Sequence, residues 1–169
     1  EPYIKPDILG ISCRAERAEK VPSHRFRTAI PYNVRIMIRP CFLVVDQEHS
    51  GSISTRKLVI ETAKFNVITA YSGAEAIQTL TKFPAVDGVV LDAGVRDLPC
   101  SGLVKQIKEN RPGLPVVVVG TLGHDHCAGA DHYLETFDPS RLLYLLQQLE
   151  PERTALILEK DEKLSKPDA

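Results

Sequence analysis

Phe42-Leu43-Val44-Val45-Asp46-Gln47-Glu48 is a short, unbroken apolar run that closes on acid, and Asp87-Gly88-Val89-Val90-Leu91-Asp92 repeats the pattern further along. A strand with one wet face alternates apolar and polar residues. A run without alternation is a strand covered on both faces, which means a parallel sheet between layers of helix. Val116-Val117-Val118-Val119 is a third such run, and Val67-Ile68-Thr69-Ala70 and His132-Tyr133-Leu134 read as two weaker strands.

Helical signals separate these runs. Ser72-Gly73-Ala74-Glu75 is a capping box, with Ala76, Ile77, Leu80 and Phe83 at helical spacing behind it. Asp138-Pro139 sets an N-cap before a proline suited to the first helical position, and Leu142, Leu145, Leu146 and Leu149 form the following stripe. Helices from about Ser52 to Lys64 and from Ser101 to Asn110 complete the alternation, the latter stopped by Arg111-Pro112-Gly113. A fourth helix, in Gly123–Ala130, is expected to be short or irregular. The result is a flavodoxin-like, doubly wound (βα)5 three-layer sandwich of α/β class.

Around this core, residues 1–36 form an N-terminal extension. Its basic residues (Lys5, Arg14, Arg17, Lys20, Arg25, Arg27, Arg35) are interrupted by acids and prolines. The single Met is Met37, so either the natural start lies there or the preceding part is a genuine arm. Residues 37–150 make the domain, and 151–169 read as a charged, frayed tail with one apolar patch, Ala155-Leu156-Ile157-Leu158. A net charge of −1 gives no pointer to nucleic acid or an anionic membrane, and a solvated arm is the plainer reading of the basic N-terminus. No run approaches the ~20 apolar residues of a bilayer span. Without a basic-then-apolar leader, the expected location is cytoplasmic. The four cysteines, Cys13, Cys41, Cys100 and Cys127, lie far apart with no C-x-x-C pair, so they read as buried or incidental thiols.

In an open parallel sheet, ligands sit at the carboxyl ends of the strands. Strand one ends in Asp46-Gln47-Glu48 and strand three in Asp92, which would bring carboxylate oxygens together at one rim. Such a rim suits Mg²⁺, which takes an oxygen octahedron. A metal there would offset repulsion between the acids and a phosphate, leaving one Asp free to act as a nucleophile.

These runs, with Gly129-Ala130-Asp131-His132-Tyr133-Leu134 and Phe137-Asp138-Pro139, resemble response regulator receiver domains of the CheY-like superfamily over about residues 40–150. The resemblance implies a parallel sheet of order 2-1-3-4-5. It makes Asp92 the phosphoacceptor in a two-component phosphorelay. It implies Mg²⁺ bound by Asp46, Gln47, Asp92 and the Gly94 carbonyl, and an aromatic switch at Tyr133. It also implies a non-enzymatic signalling module whose partners are a histidine kinase or phosphotransfer protein and a downstream protein target, with a homodimer through the helix 4–strand 5–helix 5 face.

The departures from that pattern matter as much. Receiver domains carry two adjacent acids after strand one, and the second is here Gln47, whose amide oxygen brings no charge, so the Mg²⁺ site is weakened. The hydroxyl residue ending strand four is Gly120, with Thr121 one place late. Thr136 stands where a lysine belongs, removing a charge-assisted contact of about 1.5–3 kcal/mol to a phosphoryl group. The alternative reading is therefore a phosphorylation-independent pseudo-receiver that acts as a protein–protein interaction module. Asp46 as a mere helix cap and Tyr133 as an ordinary edge aromatic remain open. So does transition-metal binding by His124, His126 and Cys127, although their spacing matches no standard finger. A nucleotide-binding enzyme of the same fold is disfavoured because no glycine-rich phosphate loop follows strand one.

Overall fold

The computed structural model describes residues 39–47, 53–120 and 127–165. Its sheet has five strands: β1 (Cys41–Val45), β2 (Asn66–Ala70), β3 (Gly88–Asp92), β4 (Val116–Val119) and β5 (His132–Leu134). Every pairing is parallel, and the order is β2-β1-β3-β4-β5. The helices are α1 (Thr55–Thr62), α2 (Gly73–Lys82), α3 (Cys100–Asn110), α4 (Pro139–Leu149) and α5 (Pro151–Ser165).

The absence of alternation has its cause in the two-sided core. Successive side chains of a strand point to opposite faces. Leu43, Val45, Val89, Leu91, Val116 and Val118 bury against Ala76 and Leu80 of α2 and Leu103, Val104 and Ile107 of α3. Phe42, Val44, Val90, Val117 and Val119 bury on the other face against Ile60 of α1 and Leu142 and Leu146 of α4. Phe42 stacks obliquely on Phe65, with ring centroids 5.5 Å apart.

Helix starts follow the expected chemistry. Ser72 Oγ accepts from Glu75 N–H at 3.1 Å, while the Glu75 carboxylate accepts from Tyr71 N–H at 2.8 Å. Asp138 accepts from Ser140 and Arg141 N–H, with Pro139 in the first turn of α4.

Three expectations need correction. Residues 127–130, within the segment expected to hold the fourth helix, form a turn instead; residues 121–126, including the rest of that segment, lie outside the described residues. The tail expected to fray forms α5, a helix of 15 residues. It is held by Arg153, which pairs with Asp87 and Glu150 at 2.6 Å each, and by Ile157 packed against the α1–α4 side of the core. Finally, Cys100 and Cys127 are not incidental thiols. They form a disulfide with Cα atoms 4.9 Å apart, linking the first residue of α3 to the β4–β5 connection.

A rim where an arginine spans two aspartates

The register explains why the strand-end acids meet. Val45 lies opposite Leu91 in the β1–β3 ladder, so Asp46 and Asp92, each one residue further, emerge side by side at the carboxyl rim. Between them stands Arg56. Its Nη1 is 2.8 Å from Asp46 Oδ1 and its Nη2 is 2.8 Å from Asp92 Oδ2. All three side chains are largely buried, and the guanidinium also lies over the Phe137 ring, 5.5 Å from its centroid.

Neighbouring groups add further hydrogen bonds to both acids. Ser54 Oγ donates to Asp46 Oδ2 at 2.6 Å, and Gln47 N–H donates to Asp46 Oδ1 at 2.9 Å. The same Ser54 hydroxyl accepts from Lys57 N–H and so caps α1. Gly94 N–H donates to Asp92 Oδ1 at 2.7 Å, so both oxygens of Asp92 are engaged. Burial pushes the Asp46 carboxyl upward, but the Ser54 hydroxyl, the Arg56 guanidinium and the Gln47 N–H together hold it below the ordinary aspartate value.

Gln47 is turned toward Gly94, and its amide nitrogen donates to the Gly94 carbonyl. A carbonyl offers only lone pairs, so the group facing it must be the NH₂ end of the amide. A Cβ at position 94 would meet the Gln47 amide, which would have to swing away from the Gly94 carbonyl to make room. Asp46, Gln47, Asp92 and Gly94 are thus brought together as the strand-end pattern implies. As they stand, these donors do not fit Mg²⁺: the acids share a guanidinium, and the carbonyl faces an N–H donor rather than a cation.

The expected switch positions are dispersed. Gly120 adopts φ +124°, a conformation a side chain rarely takes, so a hydroxyl residue here would require a different backbone path. Thr121 lies outside the described residues, as do His124 and His126. Cys127, the third ligand of the conceivable metal site, has its sulfur in the disulfide, and no metal-binding cluster occurs among the described residues. Thr136 is exposed. Tyr133 is 39% exposed, and its hydroxyl donates to the Cys127 carbonyl at 2.7 Å.

Sequence reading missed Arg56, Ser54 and Phe137. One local signal pointed to the first. Arg56 is the second residue of α1, in a first turn whose exposed N–H groups disfavour a cation. An arginine there needs acids facing it.

Five parallel strands in this order, with aspartates closing β1 and β3 on a common rim, make the fold of CheY-like response regulator receiver domains. The chain is similar to a CheY-like receiver domain from Methylobacillus flagellatus (26% identity, TM-score 0.56, covering 67% of this chain and 99% of that one). It is also similar to a putative response regulator from Chloroflexus aurantiacus (25%, TM-score 0.55, covering 66% and 97%). A receiver domain from Clostridium thermocellum shares the fold at 23% identity and TM-score 0.59, over 69% of this chain and 98% of that one. Among curated proteins, the transcriptional regulatory proteins GlrR and QseF of Escherichia coli are 27% identical over 85 residues, half of this chain. The match spans only 19% of their length. No family model matches the chain. No helix among the described residues is long and apolar enough to cross a membrane.

Proposed function

We propose that this receiver domain works as a phosphorylation-independent module, signalling through contact with protein partners while Asp92 remains unmodified. The observation that carries this reading is the bridge from Arg56 to both Asp46 and Asp92. An aspartyl nucleophile must direct an oxygen lone pair at phosphorus. Each Asp92 oxygen already accepts a short charge-assisted or backbone hydrogen bond, which draws charge from the carboxylate and ties its orientation to Arg56 and Gly94. Mg²⁺ would have to displace Arg56, and the Gly94 carbonyl would have to exchange the Gln47 amide for the metal. Thr136 in place of a lysine removes a further anchor for a phosphoryl group. The natural partners of such a module are a sensor or phosphotransfer protein and a downstream target, bound by shape and surface chemistry.

The phosphorelay reading keeps one observation in its favour: Asp92 is retained at the end of β3, on the same rim as Asp46. Intact-mass measurement after incubation with acetyl phosphate and Mg²⁺, on wild type and Asp92→Asn, separates the two. The expected result is no Asp92-dependent gain of a phosphoryl mass and no beryllofluoride-induced change in the amide spectrum. Stoichiometric, Asp92-dependent phosphorylation would establish the phosphorelay reading instead.

A further inference from the structure

We propose that Cys100 and Cys127 form a reversible thiol–disulfide exchange site whose state controls the 127–130 turn and the Tyr133 tether. The substrate class is a low-molecular-weight disulfide and its thiol, such as the glutathione couple. This proposal does not depend on whether Asp92 accepts a phosphoryl group.

The two sulfurs differ in setting, and the difference assigns their roles. Cys100 is the first residue of the 11-residue helix α3 and is 9% exposed. A thiolate at a helix N-terminus is stabilised by the unpaired N–H groups there, which favours Cys100 as the attacking group. Cys127 is 1% exposed, in the position of a resolving thiol. A groove bounded by Ser101, Gly102 and Lys105 of α3, and by Ala128 and Gly129, is lined by the residues that follow each cysteine in the chain. In the oxidising direction the Cys100 thiolate attacks one sulfur of RSSR, forms a mixed disulfide and expels RS⁻. The Cys127 thiolate then attacks the Cys100 sulfur and expels the second RS⁻. Two protein thiols and RSSR become one protein disulfide and two RSH, the two thiol protons passing to the departing thiolates.

The bridge bears on a backbone that the local sequence does not favour. Cys127 adopts φ +44°, a left-handed conformation unusual for a residue with a side chain. Its carbonyl accepts both the Tyr133 hydroxyl, at 2.7 Å, and the Ala130 N–H, at 3.3 Å. While the disulfide stands, Cys127 is fixed to α3 and the carbonyl stays in place for Tyr133. On reduction nothing covalent holds that φ angle. The 127–130 turn relaxes, and the Tyr133 side chain on β5 loses its anchor. In a reducing compartment, disulfides of this kind serve transient or sensing roles.

Two measurements on the full chain test this. Differential alkylation with mass mapping after equilibration in reduced or oxidised glutathione should show Cys100 and Cys127 gaining and losing protection together. Amide hydrogen exchange should show the Ala130 and Asp131 amides exchanging at least about tenfold faster in the reduced protein, with β1 and β3 amides unchanged. Cys100→Ser and Cys127→Ser should each reproduce the reduced pattern. Reduction of the wild type supplies the same comparison should either variant fold poorly. Thiols that stay alkylatable in oxidised glutathione would overturn the proposal. So would a bridge that resists reduced glutathione in the folded protein, or exchange at Ala130 and Asp131 that is indifferent to redox state.

Discussion

Arg56→Met removes the guanidinium, with its contact to the Phe137 ring, and keeps most of the apolar stem. In wild type Arg56 makes two ion pairs at 2.8 Å, with the three side chains between 11% and 16% exposed. Each is a charge-assisted hydrogen bond worth about 1.5–3 kcal/mol, so the pair contributes roughly 3–6 kcal/mol. Against this, Arg56 Nε is buried without a hydrogen-bond partner among the described residues, a cost of about 1–3 kcal/mol. The net loss on substitution is therefore about 2.5 kcal/mol at the midpoints of these ranges, augmented by the repulsion of two carboxylates left facing each other.

Thermal melting followed by circular dichroism at neutral pH, in buffer freed of divalent ions, should place the variant about 10 °C below wild type. The second half of the experiment is the more discriminating. With Arg56 gone, the acids present a bare oxygen rim, and about 10 mM Mg²⁺ acting on a site with a Kd on the order of 1 mM returns about 1.4 kcal/mol. Wild type at matched ionic strength should show no comparable gain, and Gln47→Asp added to Arg56→Met should enlarge it. If wild type and Arg56→Met respond to Mg²⁺ alike, or if the variant melts with wild type in its absence, Arg56 does not hold this rim and the reasoning fails.

Three further perturbations follow from the same structure. Because Asp46 is held below its ordinary pKa when folded, the stability it contributes is complete above the usual carboxylate range of about pH 4 and is lost as pH falls through the folded value. Asp46→Asn should flatten that acid limb in urea titrations, and an unchanged limb would refute the assignment. Reducing the Cys100–Cys127 bridge opens a loop with a sequence separation of 27, costing about 3.5 kcal/mol on the chain-entropy account, so the reduced protein should melt about 10 °C lower with its far-ultraviolet spectrum retained. Arg153→Ala, which severs α5 from Asp87 and Glu150, should cost about 1–2 kcal/mol by urea midpoint and be non-additive with Asp87→Asn; full additivity would mean that the two residues do not interact.

What the sequence disclosed and what it withheld follow from the range of the interactions. The strands of β1, β3 and β4 were legible because burial on both faces removes alternation, a property each run carries within itself. The meeting of Asp46 and Asp92 was legible because parallel register carries strand ends to one rim. The start of α4 was written in Asp138-Pro139. By contrast, α5 has an unremarkable local pattern and is secured by a salt bridge from Arg153 back to Asp87 at the start of β3. The Cys100–Cys127 pair meets only because the N-terminus of α3 packs beside the β4–β5 turn, which no spacing rule within the chain announces. Gly120 read as a lost hydroxyl; the structure shows a backbone at φ +124°, a conformation that glycine adopts readily and other residues rarely do.

Arg56 and Gln47 make sense as a single change rather than two. A receiver rim with two acids after β1, a third on β3 and one Mg²⁺ carries −3 + 2 = −1. Here Asp46, Asp92 and Arg56 give −2 + 1 = −1 with no dissociable ion. Replacing the second acid by Gln47 removes a negative charge, and an arginine in the first turn of α1 supplies a fixed positive one. The contacts are redistributed in the same way. A metal would join two carboxylates and the Gly94 carbonyl; Arg56 joins the carboxylates, and the Gln47 amide takes the carbonyl. Either change alone would leave the rim unbalanced: Gln47 without Arg56 gives bare acids with weakened metal affinity, and Arg56 without Gln47 leaves the Gly94 carbonyl without its donor. On the phosphorylation-independent reading proposed above, a rim balanced internally needs no exchangeable ion, and a signal would reach this domain through another part of the fold.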